Sequence, residues 1–382
     1  MKYEIKKLLF RKEVWIVFVL SIIALIILSF RQPWASFSTI RSAHKMTAEY
    51  YSLSLDEAES KIAEDLKRSD NESDLKLLDQ MQKSIRSYKK QEANMKNLLA
   101  NMYHEADHAS TEYERRDLEH AIRQYNRKID YHPCDAQQLN IAFLWLNDFE
   151  WLHYLFPLII CTLLAPLFAV ESESGMYQLL FISKKGKKQL FRNKILSGII
   201  CSAFFSLCYT FLTFVLFWIR FGLSYQMLFA PIQCAEYYQN CPFSMTIWQF
   251  LILTSAMRII VGALLTALTA IISSLFNRTA IAFGATVSIS GIFIMISRTY
   301  ANEPNAALMM KRLGLLRLPI LGSYLTEYDA VNVFGYPVEQ LWLSIACTCT
   351  IILVLLSAAY ILYTLPAKEK RRRVKLCSVS KN

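Results

Sequence analysis

The sequence lacks a phosphate-binding loop. The pattern G-x-x-x-x-G-K-[ST] occurs nowhere, and Gly186-Lys187-Lys188 has neither the first glycine nor the hydroxyl residue that such a loop needs. No other nucleotide-binding pattern is present. We therefore expect a chain that binds no cofactor and is no enzyme by itself. If ATP energises it, hydrolysis and the accompanying Mg²⁺ belong to a separate subunit.

Helix-breaking residues are missing from one long stretch. Residues 31–150 contain no glycine, and no proline lies between Pro33 and Pro133, so little there interrupts a helix. Apolar residues three, four or, once, seven positions apart form two stripes. The first contains Leu78, Met81, Ile85, Tyr88, Met95, Leu99, Met102, Ala106, Ala109 and Tyr113, and the second contains Leu118, Ile122, Tyr125 and Ile129. This spacing predicts two or three long helices packed as a stalk over residues 31–151.

Long apolar runs are abundant in this chain of 382 residues, of which 54% are hydrophobic. Six runs are long enough to cross a bilayer, which takes roughly 17 to 25 residues: Val14–Phe30, Leu152–Val170, Ile195–Ile219, Ile247–Leu275, Thr279–Ser297 and Leu341–Tyr363. The first run lacks a small-residue cleavage site and ends at Arg31-Gln32-Pro33-Trp34, so no cleavable signal peptide is predicted. We expect an all-α, polytopic membrane protein with six transmembrane helices.

Basic clusters orient these runs. Lysines and arginines concentrate before the first run (Lys2 to Lys12), between the second and third (Lys184 to Lys194) and after the last (Lys368 to Lys375), and they underlie the net charge of +11. Short loops rich in lysine and arginine mark the cytoplasmic side of a membrane. Both termini are therefore predicted on the cytoplasmic side of the plasma membrane, and the stalk on the extracellular side. Contact with lipid headgroups explains these clusters better than nucleic-acid binding, which we do not expect.

These expectations divide the chain into four parts: an amphipathic elbow helix with the first span (1–30), the stalk (31–151), a five-span core (152–366) and a basic tail (367–382). Within the core, residues 298–340 are too long and apolar for a simple loop. Their stretch Leu308–Leu325 is predicted to fold back as a membrane-dipping, re-entrant element.

One short motif raises the question of catalysis. His104-Glu105-Ala106-Asp107-His108 matches H-E-x-x-H, which on a helix places two imidazoles one turn apart, and Glu112 continues that face. Such a pair can bind zinc. Asp107 occupies a variable position of the motif that is usually uncharged, and no third metal ligand follows at a suitable distance. Both observations disfavour a protease. No metal site is therefore predicted, and His104, His108 and Glu112 are weak candidates only.

Other candidate residues lie in or near the predicted spans. Cys234 and Cys241 share an outer loop, where they form either a disulfide or two free thiols. Two interpretations of Arg258 are open. It is a buried charge that belongs to a transport pathway or a subunit contact, or it lies at the outer membrane interface, with Ile247–Met257 as an interfacial helix before it. Two faces of small residues predict a packed hairpin of the fourth and fifth spans: Gly262, Thr266 and Ala270, and Gly284, Ser288 and Gly291.

The segment 171–194 combines an acidic pair, a glycine, an apolar stretch and a basic cluster. It reads Glu171-Ser-Glu173-Ser-Gly175 through Ser183-Lys184 to Asn193-Lys194, and it suits an amphipathic coupling element at the inner membrane face, although an ordinary solvated loop is the alternative. Together with the elbow Lys2-Tyr3-Glu4-Ile5-Lys6-Lys7-Leu8-Leu9-Phe10-Arg11-Lys12, this segment resembles the signature of type 2 ABC exporter permeases. The chain also has a large helical insert after the first span. In this respect it resembles a Firmicutes branch of these permeases, whose members often act in peptide or antibiotic export and in self-immunity.

The resemblance implies two permease subunits, identical or homologous, above two cytoplasmic ATPases. Eight residues would contact the ATPase, which are Glu171, Glu173, Gly175, Gln178, Leu179, Leu180, Ser183 and Lys184. A peptide, an antibiotic or another amphipathic substrate would leave outward. Two other functions stay open: ATP-driven mechanotransmission or sensing through the stalk, and a membrane-anchored zinc metallopeptidase.

Overall fold

The computed structural model describes residues 2–31, 50, 53–126, 150–173, 186–221, 228–235, 238, 240–276, 278–299 and 318–364. These residues are mostly helical. The helices are α1 (Lys2–Leu9), α2 (Lys12–Arg31), α3 (Leu55–Arg68), α4 (Glu72–Asp107), α5 (Glu112–Tyr125), α6 (Glu150–Leu164), α7 (Pro166–Glu173), α8 (Gly186–Phe221), α9 (Ile247–Leu275), α10 (Thr279–Thr299), α11 (Gly322–Leu325) and α12 (Gln340–Thr364). Two strands, β1 (Ala330–Val333) and β2 (Tyr336–Glu339), lie between α11 and α12.

Three of these helices are long and apolar enough to cross a membrane, among the residues that the structure describes: Lys188–Leu216, Ile247–Leu275 and Gln340–Thr364. Two shorter apolar helical stretches accompany them, Leu155–Glu171 and Thr279–Met295. These features indicate a multi-pass membrane protein. The count of six spans and their orientation remain predictions.

The second predicted span is interrupted. The run Leu152–Val170 forms two helices, because Pro166 has no N–H with which to continue the hydrogen bonding of α6. The last backbone bond of α6 runs from the Ala165 N–H to the Cys161 carbonyl at 2.9 Å, and Pro166 then occupies the first position of α7, where its missing N–H has no cost. The predicted second span therefore comprises two consecutive helices, and whether they cross the membrane together stays a prediction.

The stalk helices α3, α4 and α5 have a small core of their own. The start of the first apolar stripe, Leu78, Met81 and Ile85, is fully buried against Ala58 and Ile62 of α3. A capping box starts α5, in which the Glu114 N–H donates to the Thr111 hydroxyl at 3.2 Å and the Thr111 N–H donates to the Glu114 carboxylate at 3.1 Å. The cap fixes where the chain resumes a helix after α4.

The described residues are mostly helical, as predicted, and one small β-hairpin adds to the expected all-α class. Strands β1 and β2 pair antiparallel with Val333 opposite Tyr336, and the turn between them holds Phe334 at φ 53° and Gly335 at φ 86°. Two consecutive positive φ values are typical of a type I′ hairpin turn. The hairpin and α11 lie in the predicted re-entrant segment 298–340, whose residues 300–317, including the first part of Leu308–Leu325, lie outside the described residues.

Helix α9 occupies the middle of the helical core. It packs most extensively against α8 and α12, and also against α6 and α7. The elbow helix α1 packs against the start of α8, and the indole N–H of Trp15 at the start of α2 donates to the Leu9 carbonyl at 2.6 Å. This bond fixes the bend between α1 and α2.

Candidate functional site

A buried ion pair joins the two ends of the predicted coupling element, residues 171–194. The Lys194 Nζ of α8 lies 2.6 Å from Glu171 Oε1 of α7, with the lysine side chain fully buried and the glutamate side chain 9% exposed. Lys194 also donates to the Leu167 carbonyl, and its Nζ lies 5.1 Å from the centroid of the Phe168 ring. A buried charge is tolerated when it is both paired and hydrogen-bonded, as Lys194 is here.

The elbow helix lies beside this ion pair. Glu4 and Lys7 of α1 are close enough to act electrostatically on Lys194, and Leu8 is buried in the same apolar core as Leu167 and Phe168. The ends of α1, α7 and α8 therefore meet at one point. We call the group formed by Glu171, Lys194 and the facing side of α1 the inner cluster.

The second predicted acidic residue, Glu173, is tied to a different helix. Its Oε2 accepts a hydrogen bond from the Thr279 hydroxyl at 2.7 Å and a longer one from the Thr279 N–H at 3.4 Å, at the N-terminus of α10. The Thr279 hydroxyl, the Thr279 N–H and, more weakly, Arg278 and Arg11 lower the pKa of the Glu173 carboxyl, although it is exposed to solvent. Glu173 thus links the end of α7 to the start of α10.

The remaining predicted coupling residues lie outside the described residues. They are Gly175, Gln178, Leu179, Leu180, Ser183 and Lys184. What the structure adds is the way in which the segment is held: Glu171 is anchored to α8, and Glu173 to α10. Sequence reasoning named Lys194 only as the end of a basic cluster, although a glutamate and a lysine at facing ends of two apolar runs are a recognisable signal for a pair.

Arg258 lies inside the helical core and not behind a separate interfacial helix. Helix α9 runs without interruption from Ile247 to Leu275, and Arg258 is 3% exposed in its first half. Its guanidinium donates to the Thr210 hydroxyl at 2.8 Å and lies 5.2 Å from the centroid of the Tyr209 ring, both on α8. Among the described residues its Nε has no hydrogen-bond partner. Residues Ile247–Met257 therefore form no separate helix, and the position of Arg258 relative to the membrane surface stays a prediction.

The two small-residue faces have different surroundings. A Cβ on Gly262 would lie 3.2 Å from Ser202 Cβ, and one on Gly198 would lie 2.8 Å from Thr266 Cγ2, so this face packs against α8 and not α10. Gly284 and Gly291 have nothing within 4 Å of an added Cβ, and Ser288 is exposed. Helices α9 and α10 meet through other residues, Ile272 and Ala282 among them, while Ala270 is buried in the main core.

The loop with the two cysteines is compact. The Gln233 amide donates to the carbonyls of Phe243 and Cys241, and the Ile247 N–H donates to the Ala230 carbonyl at 3.1 Å, so the loop closes on the start of α9. Cys241 is a buried free thiol whose Sγ lies 3.5 Å from the Phe243 carbonyl oxygen, and burial raises its pKa to about 12. The Cys234 side chain lies outside the described residues, but the free thiol of Cys241 agrees with the alternative of two free thiols and gives the disulfide no support.

The H-E-x-x-H motif lies at the C-terminal end of α4. The rings of His104 and His108 stack with their centroids 4.4 Å apart, and Glu112 is paired with Arg116 instead of facing the two histidines. Throughout the described ranges, no group of three or more His, Cys, Asp or Glu side chains is arranged to hold a metal ion. The arrangement therefore gives no support to a zinc centre.

Sequence reasoning missed a polar junction between the stalk and the β-hairpin. The Tyr328 hydroxyl donates to Asp117 Oδ1 at 2.8 Å and lies 3.2 Å from His120 Nδ1, while the Gln124 amide donates to Glu339 Oε1 at 2.9 Å. Asp117, His120 and Gln124 are three and four residues apart, so they share one face of α5. We call these five residues the stalk latch. Its partners are more than 200 positions apart, and no local pattern predicts their contact.

The latch lies directly against the last helix of the core. Glu339 precedes Gln340, the first residue of α12, and the Gln340 N–H donates to the Asp329 carbonyl at 3.0 Å. Burial and the bond to Asp117 raise the pKa of the Tyr328 hydroxyl. A displacement of α5 would therefore act on the start of α12 through two or three polar contacts.

No protein-family model matches this chain, and neither does any curated protein sequence. The resemblance to type 2 ABC exporter permeases consequently depends on the motifs quoted above and on nothing else.

Proposed function

We propose that this chain is the membrane-spanning permease subunit of an ATP-driven exporter in the plasma membrane, working with a separate cytoplasmic ATPase and a second permease subunit. The substrate would be a peptide, an antibiotic or another amphipathic molecule. The observation that carries the proposal is the buried Lys194–Glu171 pair, which fixes both ends of the intervening segment to the helical core at 2.6 Å. A solvated connecting loop does not need such an anchor.

The contacts favour a revised role for the two acidic residues. Glu171 is enclosed by α7 and α8, so it is poorly placed to enter a groove on a partner. Glu173 is exposed but is bonded to Thr279. We assign to both the task of anchoring the segment, and to residues 174–188 the contact with the ATPase. A force on that segment would then reach α8 through Lys194 and α10 through Glu173.

Arg258 has a place in this proposal. A guanidinium buried beside an apolar helix is costly, and such residues commonly belong to a pathway or a subunit contact. Its contacts with Tyr209 and Thr210 keep it between α8 and α9, the two helices that α1 and α7 adjoin. We assign to Arg258 the pathway or interface charge of the exporter.

A charge swap tests the anchoring. The chain would be co-expressed with the ATPase encoded beside its gene, and the stimulated ATP hydrolysis of the purified complex would be measured for Glu171→Lys, Lys194→Glu and the double variant. We expect each single change to abolish stimulation, because removing one partner of a buried pair costs about 3–5 kcal/mol. The double variant should recover much of it.

Arg192→Glu is the matched control, since Arg192 is an exposed basic residue on the same helix outside residues 174–188, and its reversal should leave stimulation intact. Failure of every neighbouring ATPase to form a complex with the unmodified chain would refute the exporter. A stimulated complex with Glu171→Lys would instead refute only the anchoring role.

The stalk latch favours a second candidate, ATP-driven mechanotransmission. Here the same inner cluster would drive α12, and the latch would pass its movement to the stalk without any transport. Deleting residues 45–130 separates the two. An exporter should keep its coupled ATPase and lose at most substrate specificity, whereas a transmitter should lose all output while its ATPase stays coupled.

A further inference from the structure

A cavity of about 640 Å³ lies between the stalk and the residues that precede the β-hairpin. One wall is the side of α4 from Ser87 to Met102, and the opposite wall is built by Tyr125, Asn240, Glu327 and Tyr328. Its volume falls within the range of roughly 300–1,000 Å³ that is usual for ligand pockets. The cavity is remote from the inner cluster, so its role does not depend on the proposed ATPase contact.

The apolar wall exists because α4 is much longer than its partner α3. Helix α3 has 14 residues and covers only the start of the apolar stripe of α4, which has 36 residues. Further along the helix, Met95 and Met102 of the same stripe line the cavity together with the neighbouring Leu98, which is 40% exposed. With the rings of Tyr125 and Tyr328 opposite, they form a surface suited to a bulky aliphatic or aromatic group, because thioethers pack well on rings.

The rest of the lining is polar and carries both charges. Lys90 and Glu327 are exposed at the cavity, and Asn94 and Asn240 contribute side-chain amides. An amide side chain both donates and accepts, so it pairs readily with a peptide group. Opposite charges at one site match a molecule with a free amine and a free carboxylate.

The tyrosine wall is held in place by the stalk latch. The Tyr328 N–H donates to the Tyr125 hydroxyl at 3.0 Å, and the Tyr328 hydroxyl is bonded to Asp117. Both rings therefore keep their positions when the cavity is empty. A pre-formed wall lowers the ordering cost of binding.

We propose that this cavity is a binding site for a short peptide, whose bulky apolar side chain lies among Met95, Leu98 and Met102. Its peptide groups pair with Asn94 and Asn240, and its charged ends face Lys90 and Glu327. The site is on the stalk side of the molecule and takes its ligand without any covalent step.

Photolabelling tests this site on the full chain reconstituted in lipid nanodiscs. The probe is the tripeptide Leu–benzoylphenylalanine–Lys, and its adducts would be mapped by mass spectrometry. We expect adducts within residues 87–102 or at Tyr125 and Tyr328, suppressed by excess unlabelled Leu-Phe-Lys. Leu98→Trp, which fills the cavity, should reduce labelling at least tenfold.

Ala100→Trp is the matched control, because Ala100 is exposed on the same helix and lies about 200° around it from Leu98. It should label like the unmodified chain. Should Leu98→Trp fail to fold, the exposed changes Lys90→Gln and Glu327→Gln serve instead, each expected to weaken labelling several-fold. Undiminished labelling in these variants would overturn the proposal, as would adducts confined to the apolar helices α8, α9 and α12, or displacement by lipid alone.

Discussion

At the scale of single residues, glycine positions decide how closely α8 and α9 approach. Gly198 faces Thr266, whose Cγ2 would be 2.8 Å from an added Cβ. Thr266 cannot turn away freely, because its hydroxyl donates to the Gly262 carbonyl at 2.8 Å. The two helices are thus fitted to each other at this point, and a single methyl group is enough to disturb them.

Gly198→Ala should therefore destabilise the protein by about 1–3 kcal/mol, the usual cost of overpacking a core. Thermal unfolding of the purified chain measures this. Gly284→Ala is the matched control, since its added Cβ meets nothing within 4 Å and alanine favours a helix, so its midpoint should stay equal or rise. Gly198→Ala combined with Thr266→Ser, which removes Cγ2, should regain most of the loss. Equal behaviour of the two alanine variants would contradict the close packing.

Glu173 predicts an acid dependence of stability. Its hydrogen bonds from Thr279 lower its pKa below the ordinary value near 4.5 in the folded chain. A lowered folded pKa gives stabilisation that is complete above the unfolded value and is lost as the pH falls through the folded value. The thermal midpoint of the unmodified chain should therefore approach that of Glu173→Gln as the pH is lowered from about 6 to about 3.

Thr279→Val tests the cause of this effect, since it removes the hydroxyl that makes the largest contribution to the shift. Above about pH 6, the gap in thermal midpoint between Thr279→Val and its Glu173→Gln double variant should be smaller than the gap between the unmodified chain and Glu173→Gln, because the backbone N–H of residue 279 still donates to Glu173. A gap between the unmodified chain and Glu173→Gln that stays constant down to pH 3 would show that the carboxylate is not held by α10.

At the scale of elements, the stalk latch joins α5 to the β-hairpin. Tyr328→Phe removes a hydroxyl bonded to Asp117, and a hydrogen bond to a charged group contributes about 1.5–3 kcal/mol. We expect amide hydrogen exchange in α5 to become roughly tenfold faster, while exchange in the stalk core of α3 and α4 stays the same.

Tyr336→Phe is the control for the latch. Tyr336 lies on the same hairpin and is 61% exposed, and its contact with Arg116 is through the ring, 4.7 Å from the guanidinium carbon. Loss of its hydroxyl should leave exchange in α5 unchanged. If Tyr328→Phe and Tyr336→Phe have the same effect, the latch does not hold α5.

The pattern of apolar residues in the sequence predicted those helices that carry an uninterrupted apolar face or run. The spacing of Leu78, Met81 and Ile85 identified the buried side of α4, and the apolar runs identified α8, α9 and α12. The hairpin was missed because its turn is Phe334-Gly335, with a bulky residue at φ 53° where Asn or Asp is usual. The Gly335 N–H donates to Asn332 Oδ1 at 2.8 Å, a local bond that supports this backbone.

The sequence predicted which segment of the chain contains the candidate site, but not which of its side chains contact each other. The charge order of residues 171–194 pointed to the correct helix ends, but which residues pair depends on how those ends meet. Lys194 reaches Glu171 because α7 and α8 pack side by side, and Arg258 reaches Thr210 because α9 lies against α8. Such contacts between distant positions leave no periodic signal in one sequence.

At the scale of the whole molecule, one end of α9 lies near the stalk-side cavity and the other end lies near the inner cluster. Its first residue, Ile247, adjoins the loop that contributes Asn240 to the stalk-side cavity, and its last residue, Leu275, comes shortly before Thr279, which binds Glu173. With 29 residues at 1.5 Å each, the helix is about 43 Å long. That length exceeds the hydrocarbon thickness of about 30 Å, so the stalk and the inner cluster should lie on opposite sides of the membrane.

This geometry predicts a definite topology that single cysteines can measure. In a background without the native cysteines, Lys96→Cys on the stalk should react with a membrane-impermeant maleimide in intact cells. Lys188→Cys, close to the inner cluster, should react only after the membrane is permeabilised. Both lysines are exposed, so a difference in labelling reports the side of the membrane and not burial. Labelling of both positions in intact cells, or of Lys188→Cys alone, would contradict the exporter and the transmitter equally, because each needs the ATPase and the stalk on opposite sides.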